Sequence, residues 1–106
     1  MTKKEIKRIE SIANNLEGYK LTLITETYNK KEGNKTFSKK ANKVESEIVD
    51  NETYKNVFTS VNFFKNLGGT ETITRAYTIA GYIPIRLTSV SPDRKTKVIR
   101  VFKIEK

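Results

Sequence analysis

The sequence predicts a single small α+β domain: an antiparallel sheet of about five strands with two helices packed on one face. Three observations carry that reading. Two segments place apolar residues at helical spacing. The segments between and after them alternate apolar with polar residues and are rich in β-branched side chains. No internal repeat and no proline- or serine-rich linker divides the 106 residues, so one domain spans 1–106. The predicted order is helix, two or three strands, helix, three strands.

The first helix is predicted over 3–16, where Ile6, Ile9, Ile12, Ala13 and Leu16 share a face and Lys3, Lys4, Lys7, Arg8 and Glu10 lie elsewhere. Thr2 followed by Glu5 forms a capping box, and Gly18 suits the C-terminal stop. Residues 19–28 alternate Tyr19, Leu21 and Leu23 with polar partners and read as a strand. The stretch 29–34 reads as a turn, with Gly33 and Asn34 able to take positive φ. Residues 35–49 return as one interrupted strand or two short ones, ending with Val44, Ile48 and Val49.

The second helix is predicted over 51–67, capped by Asp50 or Asn51 and buried along Tyr54, Val57, Phe58, Val61, Phe64 and Leu67. Gly68 and Gly69 end it. Three strands follow: 70–79, 82–90 and 97–105. Ala80-Gly81 is the first turn between them and the segment Ser91 to Lys95 the second. Pro84 lacks a donor and points to a bulge in the middle strand. The order of the first two-thirds is similar to that of double-stranded RNA-binding domains, taking three strands between the helices. The second helix opens with Asn51-Glu52-Thr53-Tyr54-Lys55 instead of a lysine cluster aimed at phosphates, and no family membership follows.

Composition excludes much chemistry. Cysteine and histidine are absent, which removes disulfides, thiol nucleophiles, imidazole bases and the zinc or copper sites built on those ligands. No run approaches the roughly 20 apolar residues of a membrane helix, and no apolar segment follows the charged start as in a signal peptide. The expected location is therefore the cytoplasm, of a bacterial host if a phage encodes the chain. Glycines are scattered, with no phosphate-cradling loop. The acidic stretch from Glu45 to Glu52 has the hard oxygen ligands of a magnesium site. It reads better as a strand with Glu45 and Glu47 on its solvent face, followed by acids favoured at a helix N-terminus. Pro92-Asp93 lacks the spaced acid and lysine of a nuclease signature. The expectation is a protein without catalytic residues, cofactor or metal.

Charge is the informative feature. The chain carries 21 Lys+Arg against 12 Asp+Glu, a net +9. Lysine outnumbers arginine 16 to 5, and the abundance of Lys, Asn and Ile matches A/T-rich codons, so part of the excess is compositional. It is uneven: residues 1–43 sum to +6, residues 44–74 to −3 and residues 75–106 to +6. Within it, Lys30, Lys31, Lys35, Lys39, Lys40 and Lys43 crowd one hairpin against the single Glu32, with Tyr28 and Phe37 interleaved. Such lysines release counterions from phosphates, and such rings stack on bases. They also serve to solvate an edge strand and block sheet-to-sheet aggregation.

Strand register adds a second basic feature. A two-residue Ala80-Gly81 turn sets Arg75 opposite Arg86, Tyr77 opposite Pro84 and Ile79 opposite Tyr82. A three-residue Pro92-Asp93-Arg94 loop sets Arg86 opposite Arg100 and Pro84 opposite Phe102. Arg75, Arg86 and Arg100 then form a row flanked by Tyr77, Tyr82 and Phe102, with Ile83, Ile85, Leu87, Ile99 and Val101 behind it as the seat for the helices. Like charges in a row want anions. Nucleic-acid phosphates supply them, or Glu45, Glu47, Asp50 or Glu71 does so within the fold or across a homodimer. The expected function is non-enzymatic nucleic-acid binding of low sequence specificity, to single or double strands. The alternative is a small phage or mobile-element protein that binds another protein, as an inhibitor or virion component.

Overall fold

The computed structural model of the chain describes residues 2–31, 33, 35–60 and 66–106. Its elements are α1 (Lys3–Asn15), β1 (Lys20–Asn29), β2 (Lys43–Val49), α2 (Asn51–Thr59), β3 (Thr70–Thr78), β4 (Gly81–Val90) and β5 (Thr96–Glu105). The five strands form one antiparallel sheet in the order β2-β1-β5-β4-β3. The first and last strands thus pair at its centre, and β2 and β3 are its edges. Between the helices lie two strands, so the order departs from the three-strand pattern of double-stranded RNA-binding domains. Among the described residues no helix is long and apolar enough to cross a membrane.

The expected caps form. Thr2 Oγ1 accepts from the Glu5 amide at 3.2 Å and donates to the Glu5 carboxylate at 3.3 Å, which starts α1. Asp50 caps α2, its Oδ1 accepting from the Thr53 amide at 2.9 Å and the Thr53 hydroxyl at 2.8 Å. These hydrogen bonds hold the Asp50 carboxyl below its ordinary pKa. Asn51 instead ties the helices together, its Nδ2 donating to the Ala13 carbonyl at 3.2 Å.

Alternation puts Leu21, Leu23, Phe102 and Leu87 on the helix-covered face, where they meet Ile9, Ala13 and Leu16 of α1 and Tyr54 and Phe58 of α2. Tyr54 and Phe58 have no solvent exposure. Their rings and that of Phe102 pack as a triad with centroids 4.9, 5.0 and 5.5 Å apart. The Tyr54 hydroxyl donates to the Pro84 carbonyl at 2.6 Å, so its buried polar atom is satisfied.

The expected second helix is longer than α2, which is capped at Ser60. Val61 and Phe64, expected on its buried stripe, lie outside the described residues. Leu67, expected there too, is 59% exposed. Residues 35–42 form a loop, leaving β2 as one strand of seven residues.

Candidate nucleic-acid interface

Pairing decides which side chains share a surface; both turns depart from the expected ones, and the bulge that Pro84 pointed to shifts the register between them. At the first hairpin Gly81, at φ +110°, lies opposite Thr78, so the turn is Ile79-Ala80. Thr78 Oγ1 accepts from the Ala80 amide at 3.0 Å and donates to the Gly81 carbonyl at 2.9 Å, which fixes that turn. Four residues on, Thr74 pairs with Arg86 while Arg75 pairs with Pro84, leaving Ile85 as the extra residue of a bulge. Pro84 lies outside the β4–β5 ladder, which ends at Arg86 and Val101, where a missing donor is tolerated.

The second turn is longer than expected. The Ser91 amide donates to the Thr96 carbonyl at 2.9 Å, and Arg94 takes the left-handed conformation at φ 63°. Asp93 organises it by accepting from the Ser91 hydroxyl and the Lys95 amide. As a result Arg86 faces Val101, and Arg100 faces Leu87. A one-residue change reverses the side on which every paired side chain stands.

The arginine row therefore does not form. Arg86 is exposed on the open face of the sheet, between Thr74 and Val101. Arg100 is half-buried on the helix-covered face, between Thr25 and Leu87. Arg75 borders a shallow cavity of about 180 Å³ with Lys4, Glu5 and Arg8 of α1. Phe102, expected as a base platform, pairs with Leu23 and is 3% exposed in the core. Ile99 and Val101, expected under the helices, line the open face beside Ile24. Tyr77 and Tyr82 are exposed and pack on each other, centroids 4.7 Å apart, at the β3–β4 hairpin.

The lysine hairpin meets partners that its own sequence does not announce. β1 pairs with β5 as far as Asn29 and Thr96, and the Lys30 amide then donates to the Lys95 carbonyl at 2.8 Å. That bond ties the β1–β2 loop to the β4–β5 turn. Lys30, Lys31, Lys35, Lys39, Lys40 and Lys43 thus share one end of the sheet with Arg94, Lys95 and Lys97. The loop is braced from within. Asn42 donates its amide to the Thr27 carbonyl and accepts from the Asn29 amide, both at 2.8 Å, while Ser38 donates to the Lys40 carbonyl at 2.9 Å and to Asn42 Oδ1 at 3.1 Å.

Aromatic rings hold some of these cations in place. Lys97 Nζ lies 4.7 Å from the Tyr28 centroid and 5.0 Å from that of Phe37, and Lys30 Nζ lies 4.7 Å from Phe37. Tyr28 donates to Glu26 at 2.7 Å, which raises the pKa of its phenol. Among the described residues three nearby acids are engaged: Glu26 by Tyr28, Asp93 by its turn and Glu45 by Lys43 at 3.2 Å. A concavity of about 340 Å³ opens beside Phe37, between Lys31 and Lys39.

The acidic stretch does not gather. Glu52 pairs with Lys55 at 2.8 Å, Asp50 caps α2, and among the described residues no group of three or more acids could hold a metal ion. Comparison with protein-family models, curated proteins and solved structures finds no match to this chain.

Proposed function

We propose that the protein binds nucleic acid non-enzymatically and with little sequence specificity, meeting the phosphate backbone with the basic end of its sheet. One observation carries this reading. The Lys30–Lys95 backbone bond joins two segments far apart in sequence, so that their cations reinforce one another on a single surface. Lysines suit such contact: each is a point charge that displaces condensed counterions without reading a base edge. The predicted arginine row plays no part in this reading, and Tyr77 and Tyr82 stand at the other end of β4.

The test is an equilibrium titration with nucleic acid at 50 and 200 mM salt. A surface making about six or more phosphate contacts loses on the order of a thousandfold in affinity across that range. Absence of salt-sensitive binding to DNA or RNA would refute the proposal.

A second reading rests on exposed apolar groups at the β3–β4 hairpin and along edge strand β2. Tyr77, Ile79 and Tyr82 are 86, 60 and 56% exposed at the β3–β4 hairpin, and Val44 and Ile48 are 60 and 70% exposed on edge strand β2. They suit a protein partner or a second copy of the chain, as for a small phage or mobile-element protein. A mass measurement in solution and a change in binding on Tyr77→Ser and Tyr82→Ser would favour it.

A further inference from the structure

We infer that the nucleic acid is duplex DNA, bound across a groove by the two loops together. The inference rests on the proposed nucleic-acid reading and deepens it. Preference for single strands relies on free aromatic faces that stack unpaired bases. At the basic end both available rings are already covered by ammonium groups, Tyr28 by Lys97 and Phe37 by Lys30 and Lys97. The uncovered pair, Tyr77 and Tyr82, pack on each other at the opposite end of β4, roughly 25 Å from the basic end at about 3.3 Å per residue. The basic end therefore offers phosphates cations and offers bases little.

Its width points the same way. The β1–β2 loop and the β4–β5 turn lie side by side because β1 and β5 are neighbours in the sheet. Four strands at about 4.8 Å spacing make an end roughly 14 Å across. The major groove of B-form DNA is about 12 Å wide. One loop can meet phosphates on one groove wall while the turn, with Arg94 and Lys95, meets those on the other. A single strand has only one such row. Phosphate density adds to the preference. The salt exponent is about 0.9 per contact for duplex and about 0.7 for single strands, so, from equal affinity at about 1 M salt, six contacts give roughly tenfold in favour of duplex at 0.15 M salt.

The experiment uses the whole protein, a 20-base-pair DNA duplex, and each of its separated strands brought to equal phosphate concentration, titrated at about 0.15 M salt. The expected result is binding about tenfold tighter to the duplex. Tyr77→Leu and Tyr82→Leu, at the opposite end of β4, should each change duplex affinity by less than about threefold, since no base stacking there contributes. Equal or tighter binding of single strands would overturn the duplex inference and leave the nucleic-acid reading standing. RNA of the same sequence is titrated alongside: binding of RNA alone would overturn the duplex-DNA inference and leave the nucleic-acid reading standing, and binding of neither DNA nor RNA at any salt concentration would overturn both.

Discussion

Tyr54→Phe removes one oxygen from the core and nothing else. The ring stays fully buried against Phe58 and Phe102, so its apolar contacts persist. What goes is the 2.6 Å hydrogen bond to the Pro84 carbonyl. The net value of such a bond is about 0.5–1.5 kcal/mol, and a buried carbonyl left without a partner costs about 1–3 kcal/mol. The expected loss is therefore about 1–3 kcal/mol, against a total of about 5–15 kcal/mol for a domain of this kind. Urea unfolding should show a lower midpoint with an unchanged slope.

Alkaline pH gives the same variant a second signature. Burial holds the Tyr54 phenol above its ordinary pKa of 10.0, with the positive charge of Arg75 opposing the shift. Above the unfolded value the unfolded chain releases this proton and the folded chain keeps it, so wild-type stability falls as pH rises. The fall is at most about 1.4 kcal/mol per pH unit. The phenylalanine variant has no such proton to release, and the remaining tyrosines are common to both proteins. The gap between wild type and variant should thus narrow from pH 8 to pH 11. A loss below about 0.5 kcal/mol at pH 8, or a gap independent of pH, would refute this reasoning.

Phe58→Ala empties the centre of the aromatic triad and should cost about 3–5 kcal/mol, read from the same urea curves. Asp50→Asn keeps a capping oxygen but removes a titrating group whose folded pKa lies below its ordinary 3.8. Wild type should lose stability as pH falls through that folded value, and the asparagine variant should lose less, measured by thermal unfolding between pH 6 and pH 2. Arg86→Thr should change stability by no more than about 0.5 kcal/mol, because Arg86 is exposed on the open face with Thr74 and Val101 as neighbours. Unfolding of the Arg86→Thr protein would show an internal partner for the guanidinium.

The sequence revealed what short-range rules govern. Helical spacing of Ile9, Ala13 and Leu16, the caps at Thr2 and Asp50, and the alternation of Leu21 with Leu23 each depend on neighbours within a few residues. The arginine row depended on parity across two turns. The Thr78 hydroxyl moved the first turn by one residue, Ile85 bulged, and Asp93 organised a longer second turn. The bulge set Arg86 opposite Thr74 instead of Arg75, and the longer second turn alone sent Arg86 and Arg100 to opposite faces, with Phe102 in the core. The basic end was half legible. Its lysines crowd one stretch of sequence, but Arg94, Lys95 and Lys97 join them only through β1–β5 pairing. Pairing β1 antiparallel with β5 sets Tyr28 against Lys97, a contact between residues far apart in the sequence.

The most direct test of the central claim removes equal charge from two places. One variant carries Lys39→Ala, Lys40→Ala and Lys95→Ala at the basic end; the other carries Lys3→Ala, Lys4→Ala and Lys7→Ala on α1. Both lose three positive charges from the net +9. Affinity for one DNA duplex is then measured for each across a salt series. The basic-end variant should bind at least about tenfold more weakly, with a salt slope shallower by about one for each phosphate-binding lysine removed, while the α1 variant stays close to wild type. Equal weakening in the two variants would show that net charge alone governs binding and contradict the site.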